Sequence, residues 1–472
     1  MSRPRFSLLR KILIIVGGLI LVFGGLYWWF SRPDVSQLDA NAVTGARPTL
    51  SAPRNQTIPT VKIADAVGWP QGAKPVAAAG LQVNAFATGL DHPRWLYRLP
   101  NGDVLVAESN SPPRDSGGIT NKVMKWLMGR AGAGVPSANR ITLLRDADGD
   151  GVAEVRSTLL SAGNGLESPF GMVLVGETLY VGNHNALIRF PFKVGETKIT
   201  AKGEKVVDLP GGGHWTRSVI ASDDGNTLYV GVGSETNIAD KGIEAEKNRA
   251  AILSVDPKTK RATIFASGLR NPVGLALHPD TKRLWTVVNE RDMMGSDMPP
   301  DYLTQVDFGS FYGWPWHYWG GYEDKRVRPG RPDLREYTAR PDYALGAHTA
   351  PLGLTFAQDL QLGPNYLNGA FVGLHGSWNR VPASGYKVVY VPFGARSLPT
   401  EGAKPVDILT GFLNADGKAM GRPVGVTADR TGALLVADDV GNVIWRVSAP
   451  GAAPKPAATP MASPGARPAA AR

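Results

Sequence analysis

The sequence predicts an all-β protein, a six-bladed β-propeller carried behind an N-terminal transmembrane helix. Three observations lead there. A turn holding Pro, Gly or a charged residue, followed by two closely spaced apolar strands, recurs six times. Glycine (56) and proline (37) are too plentiful for a helical bundle and suit a chain with many turns. The uncharged run from Ile12 to Phe30 is long enough to cross a bilayer.

Residues 1–31 read as a cytoplasmic N-terminus and a membrane anchor. Arg3, Arg5, Arg10 and Lys11 precede the apolar run, and Trp28 and Trp29 close its outer end. Cations on that side hold the N-terminus in the cytoplasm, which places the remainder in the periplasm, on a bacterial inner membrane. No small-x-small cleavage site follows, which favours an uncleaved anchor over a signal peptide. Residues 32–80, rich in Pro, Ala and Thr, read as a linker and lead-in that lifts the domain off the membrane.

Residues 81–448 hold the repeats, which open at Gly89, Gly165, Gly212, Gly268, His348 and Gly421. In most copies turn chemistry such as Pro100-Asn101-Gly102 separates the two strands, the mark of a hairpin. A lone hairpin cannot bury its faces, so the copies must stack on a shared core, and their uneven spacing suits a propeller better than a solenoid. Insertions near 111–140, 235–250 and 316–345 are expected as loops over one face. The tail, 449–472, has too little apolar surface to fold and is expected to be disordered.

With no cysteine, disulfides, thiolate metal sites and thiol catalysis are excluded. The net charge of +10 is concentrated at the ends: residues 1–32 hold five cations and 449–472 three, with no acids. What remains carries 43 cations against 41 acids, so nothing supports nucleic-acid binding.

The turns that open the repeats are polar: Asp91, His92 and Arg94; Glu167; His214 and Arg217; Arg270 and Asn271; His348 and Thr349; Arg422. Any one reads as a turn residue satisfied by backbone. Around a common axis, however, the set converges on one pocket whose Arg and His content asks for an anionic small molecule. His214 is the best candidate general base, with Arg217 helping to hold it neutral. Glu290, Asp292, Asp297 and Asp301 offer hard oxygen ligands that would suit Ca²⁺. The run from Asp146 to Gly151 resembles the start of an EF-hand loop but has Ser157 where that loop needs Glu, which leaves at most a structural ion.

Six fragments, GGHWTRS, GLRNPVGLALHP, NERD with PDYLTQVDFGSFYGWP, HTAPLGLTF, FVGLHGSWNR and GRPVGV, together resemble the sorbosone dehydrogenase and soluble aldose (glucose) dehydrogenase family of quinoproteins over about residues 81–448. The resemblance implies a propeller that binds pyrroloquinoline quinone (PQQ) and Ca²⁺ and oxidises a sugar or sugar-derived aldehyde or alcohol. It matches His214 to the catalytic base, Arg270 to the Arg that stabilises the developing oxyanion, Asn271 to a PQQ ligand and Arg422 to the Arg that holds a PQQ carboxylate. Arg217 is counted with the cofactor-binding residues. Around Glu290, Arg291 and Asp292 the family supplies Ca²⁺ ligands, largely backbone carbonyls. The glucose-dehydrogenase branch has a second Arg where this chain has Val424, and a Lys near His375, so the carboxylates fall instead to His348, His375 or Arg380.

The expected partners are a sugar-like substrate, the membrane, and a membrane quinone or a cytochrome as electron acceptor. Two other readings stand beside this one. A Ca²⁺-dependent propeller lactonase or related hydrolase would need carboxylates from several blades to converge, whereas a binding propeller would need no catalytic base.

Overall fold

The computed structural model describes residues 6–30, 32–57, 59–113 and 118–451. Each expected repeat supplies the inner strands of one antiparallel sheet, and the six sheets are the blades. The innermost strands are Pro93–Arg98, Met172–Val175, Val219–Ala221, Pro272–Leu277, Pro351–Phe356 and Pro423–Ala428, in blades 1 to 6. Each touches the next, and the sixth returns to the first, closing the ring.

The second strands, among them Val104–Glu108, Leu284–Val288 and Leu434–Asp438, are buried along their whole length. They lie between neighbouring blades and are covered on both faces, which is why they read as continuous apolar runs. The fourth strand of blade 3, Arg261–Ser267, is largely exposed.

Near the axis the inner strands cross with backbone against backbone. A Cβ on Gly353 would lie 2.2 Å from the Val424 carbonyl oxygen, and one on Gly425 would lie 2.8 Å from that of Arg94. The glycine repeated at the third position of PVGLAL, PLGLTF and PVGVTA is therefore demanded by this close approach rather than by turn geometry.

Blade 6 is made from both ends of the domain. Gln82–Ala87 pairs antiparallel with Val443–Ser448, so its outermost strand precedes blade 1 in sequence while its inner three come last. Thr44–Gly45 adds a fifth strand to blade 4, and Val76–Ala77 adds one to blade 5.

Those additions correct one expectation. Residues 33–80 are not a spacer; they are strapped across the propeller. Ser36 N donates to Val381 O (2.7 Å), Lys62 N to Trp378 O (2.8 Å) and Ala66 N to Arg130 O (2.8 Å), and Trp69 Nε1 donates to Asp438 (2.7 Å). The N-terminal helix, Phe6–Phe30, contains a stretch, Leu9–Trp28, that is long and apolar enough to cross a membrane. The expected disorder of the tail from residue 452 onward and the cytoplasmic placement of residues 1–5 fall outside the described residues.

Replacing Gly353 by Ala is expected to destabilise the domain by about 2 kcal/mol or more, because the added methyl has only backbone to displace. A lowered urea midpoint for Gly353→Ala, beside a little-changed one for Gly394→Ala, where an added Cβ would meet nothing closer than 3.6 Å, would register it.

Candidate functional site

The turns that open the repeats share one end of the propeller with the ends of the second strands, and the two are clamped together. Glu108 accepts the Asp91 N–H, Asn183 Oδ1 accepts that of Glu167 (3.1 Å), and Asp438 Oδ1 accepts that of Arg422 (2.8 Å). In blade 3 the Gly211-Gly212-Gly213 run serves instead. Gly213 has φ +48°, and a Cβ there would lie 2.5 Å from the Ser234 carbonyl oxygen, so glycine lets the His214 turn pass against that strand.

The predicted residues then meet around the axis. His214 Nδ1 lies 2.8 Å from the Ser234 carbonyl oxygen, which can only accept. Nδ1 therefore carries the proton, and this tautomer leaves the basic lone pair on Nε2. Asn271 stands beside it: a Cβ on Gly233 would be 2.3 Å from Asn271 Oδ1 and 2.6 Å from His214 Cβ. Arg270 donates to the Glu290 carbonyl (2.7 Å), to Asn237 Oδ1 (3.0 Å) and to Asp292 Oδ2 (3.3 Å). Asp292 also accepts from Asn379 (2.8 Å) and lies 3.6 Å from His348 Nδ1. Burial opposes ionisation of Asp292, yet His348, Arg270 and Asn379 hold its pKa at about 2. Burial likewise works against a charged His348, but Asp292 and the Gly295 carbonyl outweigh it and raise its pKa.

Asp439 forms the second hub. His375 Nε2 donates to it (2.8 Å), Arg94 bonds it, and His92 Nε2 lies 3.5 Å away. Burial would raise its pKa, but these three groups bring it well below the usual carboxylate range. Burial lowers the pKa of His92 to about 4, and that of His375 falls for the same first reason. His92 (φ +54°) and His348 (φ +58°) are both held in the left-handed region, an arrangement that costs energy for non-glycine residues and clusters at functional sites. Arg422 is buried with its guanidinium 4.9 Å above the Tyr386 ring. Blades 3, 4, 5, 6 and 1 thus each supply side chains to one face.

Other predicted residues lie elsewhere. Arg217 is wholly buried and donates to the carbonyls of His214 (2.6 Å), Thr216 (2.8 Å) and Pro210, so it props the His214 turn from beneath. Arg380 bonds Ser296 O, Pro382 O and Ser36 Oγ, each at 2.8 Å. Arg291 is fully buried and turns away to Pro315 O and His317 O, with the Glu290 carboxylate folded back on it. Asp297 is taken up by Ser36, Gln37 and Arg54, and Asp301 by Glu290 N, Ala350 N and Thr349. Asp146, Asp148, Asp150 and Glu154 form a mostly exposed acidic group, with Asp146 accepting the N–H groups of Gly149 and Gly151.

Buried polar atoms test what this face could hold. Among the described residues, Arg94 Nε, Arg422 Nε, His92 Nε2, Asn271 Oδ1 and Asp439 Oδ1 have no hydrogen-bond partner. Leaving such atoms unpaired is costly, and two guanidinium donors among them fit an anionic ligand with carboxylate oxygens, as PQQ has. The fit to Ca²⁺ is poorer. The carbonyls of Asp292 and Met293 accept from Arg326 (2.9 and 3.0 Å) and that of Glu290 accepts from Arg270, so a cation would compete with guanidinium groups for the same oxygens.

Three contributors were missed in the sequence: Asp439, Asn237 and Asn379. A signal for Asp439 existed, since the second strands end in polar pairs such as Glu108-Ser109, Asn289-Glu290 and Asp438-Asp439, as regular as the turns themselves.

Fold and site together define a class, the six-bladed propellers that gather Arg, His and Asn from several blades at one end of the axis. Comparison with known proteins narrows it. The TrAA12-like family matches residues 132–302 and 334–449, more than half of the chain, and the chain belongs to that family. An uncharacterized protein of Borreliella burgdorferi is 32% identical over 235 residues, covering 50% of this chain and 60% of its own length. A pyrroloquinoline quinone-dependent pyranose dehydrogenase of Coprinopsis cinerea is 29% identical over 301 residues, covering 50% of this chain and 40% of its own. The chain thus spans less than two thirds of either relative. The calcium structure of the Trichoderma reesei carbohydrate-active enzyme family AA12 superposes with a TM-score of 0.64, over 83% of this chain and 99% of that one, at 20% identity. That likeness is one of fold.

The depressed pKa of His92 sets a pH dependence. A histidine kept neutral in the fold binds its proton more readily when unfolded, so its contribution is full above about pH 6.5 and is lost as pH falls toward about 4. Urea unfolding should show stability declining over that window, and His92→Asn, which tolerates positive φ, should flatten the decline.

Proposed function

We propose that the protein is a PQQ-dependent dehydrogenase that oxidises a sugar or sugar-derived aldehyde or alcohol of the aldose or sorbosone type. The carrying observation is the convergence of His214, Arg270, Asn271, Arg94 and Arg422 on one face, with buried donors left unpaired. PQQ, when bound, supplies a two-electron acceptor for hydride. Arg422 and Arg94 would hold its carboxylates, with Asn271 and the imidazoles of His348 and His375 beside them.

His214 takes the proton from the substrate hydroxyl at Nε2, with Nδ1 fixed on Ser234 O and Arg217 bracing its turn. Arg270 brings positive charge next to Asn271, where negative charge develops during oxidation. Arg380 acts through the loop that carries Ser296. Calcium would draw on Asp292 and on the carbonyls of residues 290–292, in competition with Arg270 and Arg326.

The converging carboxylates, Asp292 and Asp439, are each paired with Arg and His, which is the reason a quinoprotein is favoured over a metal-dependent lactonase. Length and apolarity of Leu9–Trp28 support a single-pass anchor with the propeller in the periplasm, where a membrane quinone or a cytochrome would accept the electrons.

Titration of apoprotein with PQQ and Ca²⁺, followed by dye reduction with aldoses, tests the reading; absence of both binding and reduction would overturn it. His214→Ala should keep quinone binding while turnover falls by about 10²-fold or more. Arg422→Ala should weaken PQQ binding by about tenfold or more, seen as a shifted titration midpoint, with substrate KM at saturating PQQ little changed.

A further inference from the structure

We propose that the site-bearing face of the propeller rests on the membrane, with the helix Ile119–Arg130 seated in the headgroup layer of an anionic bilayer. This rests on the reading of Leu9–Trp28 as an anchor. The first observation is the shortness of the tether. The apolar helix ends at Phe30, and by Asp34 the chain is already bound to the site face. Asp34 accepts from Ser296 N (2.5 Å) and from Arg54 Nε (2.6 Å), and Val35 bridges to Val381. Ser296 in turn follows Gly295, whose carbonyl bonds His348. Four residues span about 14 Å at full extension, too little to lift that face far from the bilayer or to turn it away.

The second observation is the surface that the face presents. The helix Ile119–Arg130 lies in the insertion that follows the second strand of blade 1, and so at the site end. It is seated through buried Leu127, while Val123 is 48% exposed and Trp126 60%. Lys122 and Lys125, both exposed, lie on the side of the helix next to Trp126, and Arg130, which stacks on Trp126 (5.0 Å), is tied to Asp65 of the strap. Val123 and Trp126, three apart, share one side of the helix. An exposed Trp and Val with two lysines on the adjacent side suit the boundary between headgroups and acyl chains, where indole rings settle and lysines meet anionic phosphates. Val67, beside Ala66 whose N–H bonds Arg130 O, is also exposed, as are Val35 and Val61 where the strap crosses Val381 and Trp378 at the same end.

The absence of cysteine makes the test direct. Val123→Cys, labelled with a nitroxide in the full chain and reconstituted into phosphatidylglycerol-containing nanodiscs, is expected to collide more with oxygen than with a water-soluble nickel chelate. A label at Thr259→Cys, in an exposed turn at the opposite end, should give the reverse. Ile20→Cys reports the anchor. A lipid signature at 20 with a water signature or a protein-buried one at 123 overturns the docking and leaves the anchor standing, whereas water at 20 removes both. The double change Lys122→Glu and Lys125→Glu should shift the label at 123 toward water without altering the thermal melt. A label that stays in lipid despite both changes would overturn the role given to charge.

Discussion

Six inner strands must approach one axis more closely than side chains allow, and the rest of the molecule follows from how that crowding is met. Where blades 5 and 6 cross, the Cβ position of Gly353 is already filled by the carbonyl of Val424. In blades 4 to 6 glycine at the third position of the inner strand lets backbones meet, and bulk is displaced outward into second strands that are buried on both faces. The turns above the crossings are thereby fixed in height and direction. Asp and Glu at the strand ends then hold them by accepting their N–H groups.

The site is an electrostatic consequence of that arrangement. Cations from several blades are brought within reach of one another in a poorly hydrated place, which would be untenable without compensation. Asp292 and Asp439 each gather an Arg and one or more His, and backbone carbonyls absorb much of what is left, as those of Pro210, His214 and Thr216 do for Arg217. The compensation stops short of complete. Nε of Arg422 and Nε of Arg94 stay without a hydrogen-bond partner, although Arg94 is paired with Asp439 through its Nη1.

The six blades were legible because their signals are local: turn residues, apolar strands and the recurring glycine all lie within about 20 residues of one another. The placement of His214, Arg270, Asn271, His348 and Arg422 at one end followed from the equivalence of the repeats. Asp439 was not legible, since an acidic pair at a strand end reads as a solvated turn, and its burial comes from His375, Arg94 and His92 on other blades. The inward turn of the Arg291 side chain was illegible for the opposite reason: its place in a polar loop gave no sign that His317 and Pro315, far along the chain, would draw it in. The strap over residues 33–80 was illegible because it has no periodicity. Its strands are two residues long, and backbone groups make much of its contact with the propeller.

The pairing of Gln82–Ala87 with Val443–Ser448 has a consequence for how the molecule forms. Blades 1 to 5 can assemble their inner strands from near neighbours in sequence, but the ring becomes a ring only when segments more than 350 residues apart find each other. Closing so long a loop carries an entropic cost that no local contact offsets, which makes it a late step in folding. Until it happens, blade 6 has an open edge and the axis has a seam. A chain still being made would therefore stay open-ended until that strand arrived, and the end of the propeller that gathers Arg, His and Asn would be completed last.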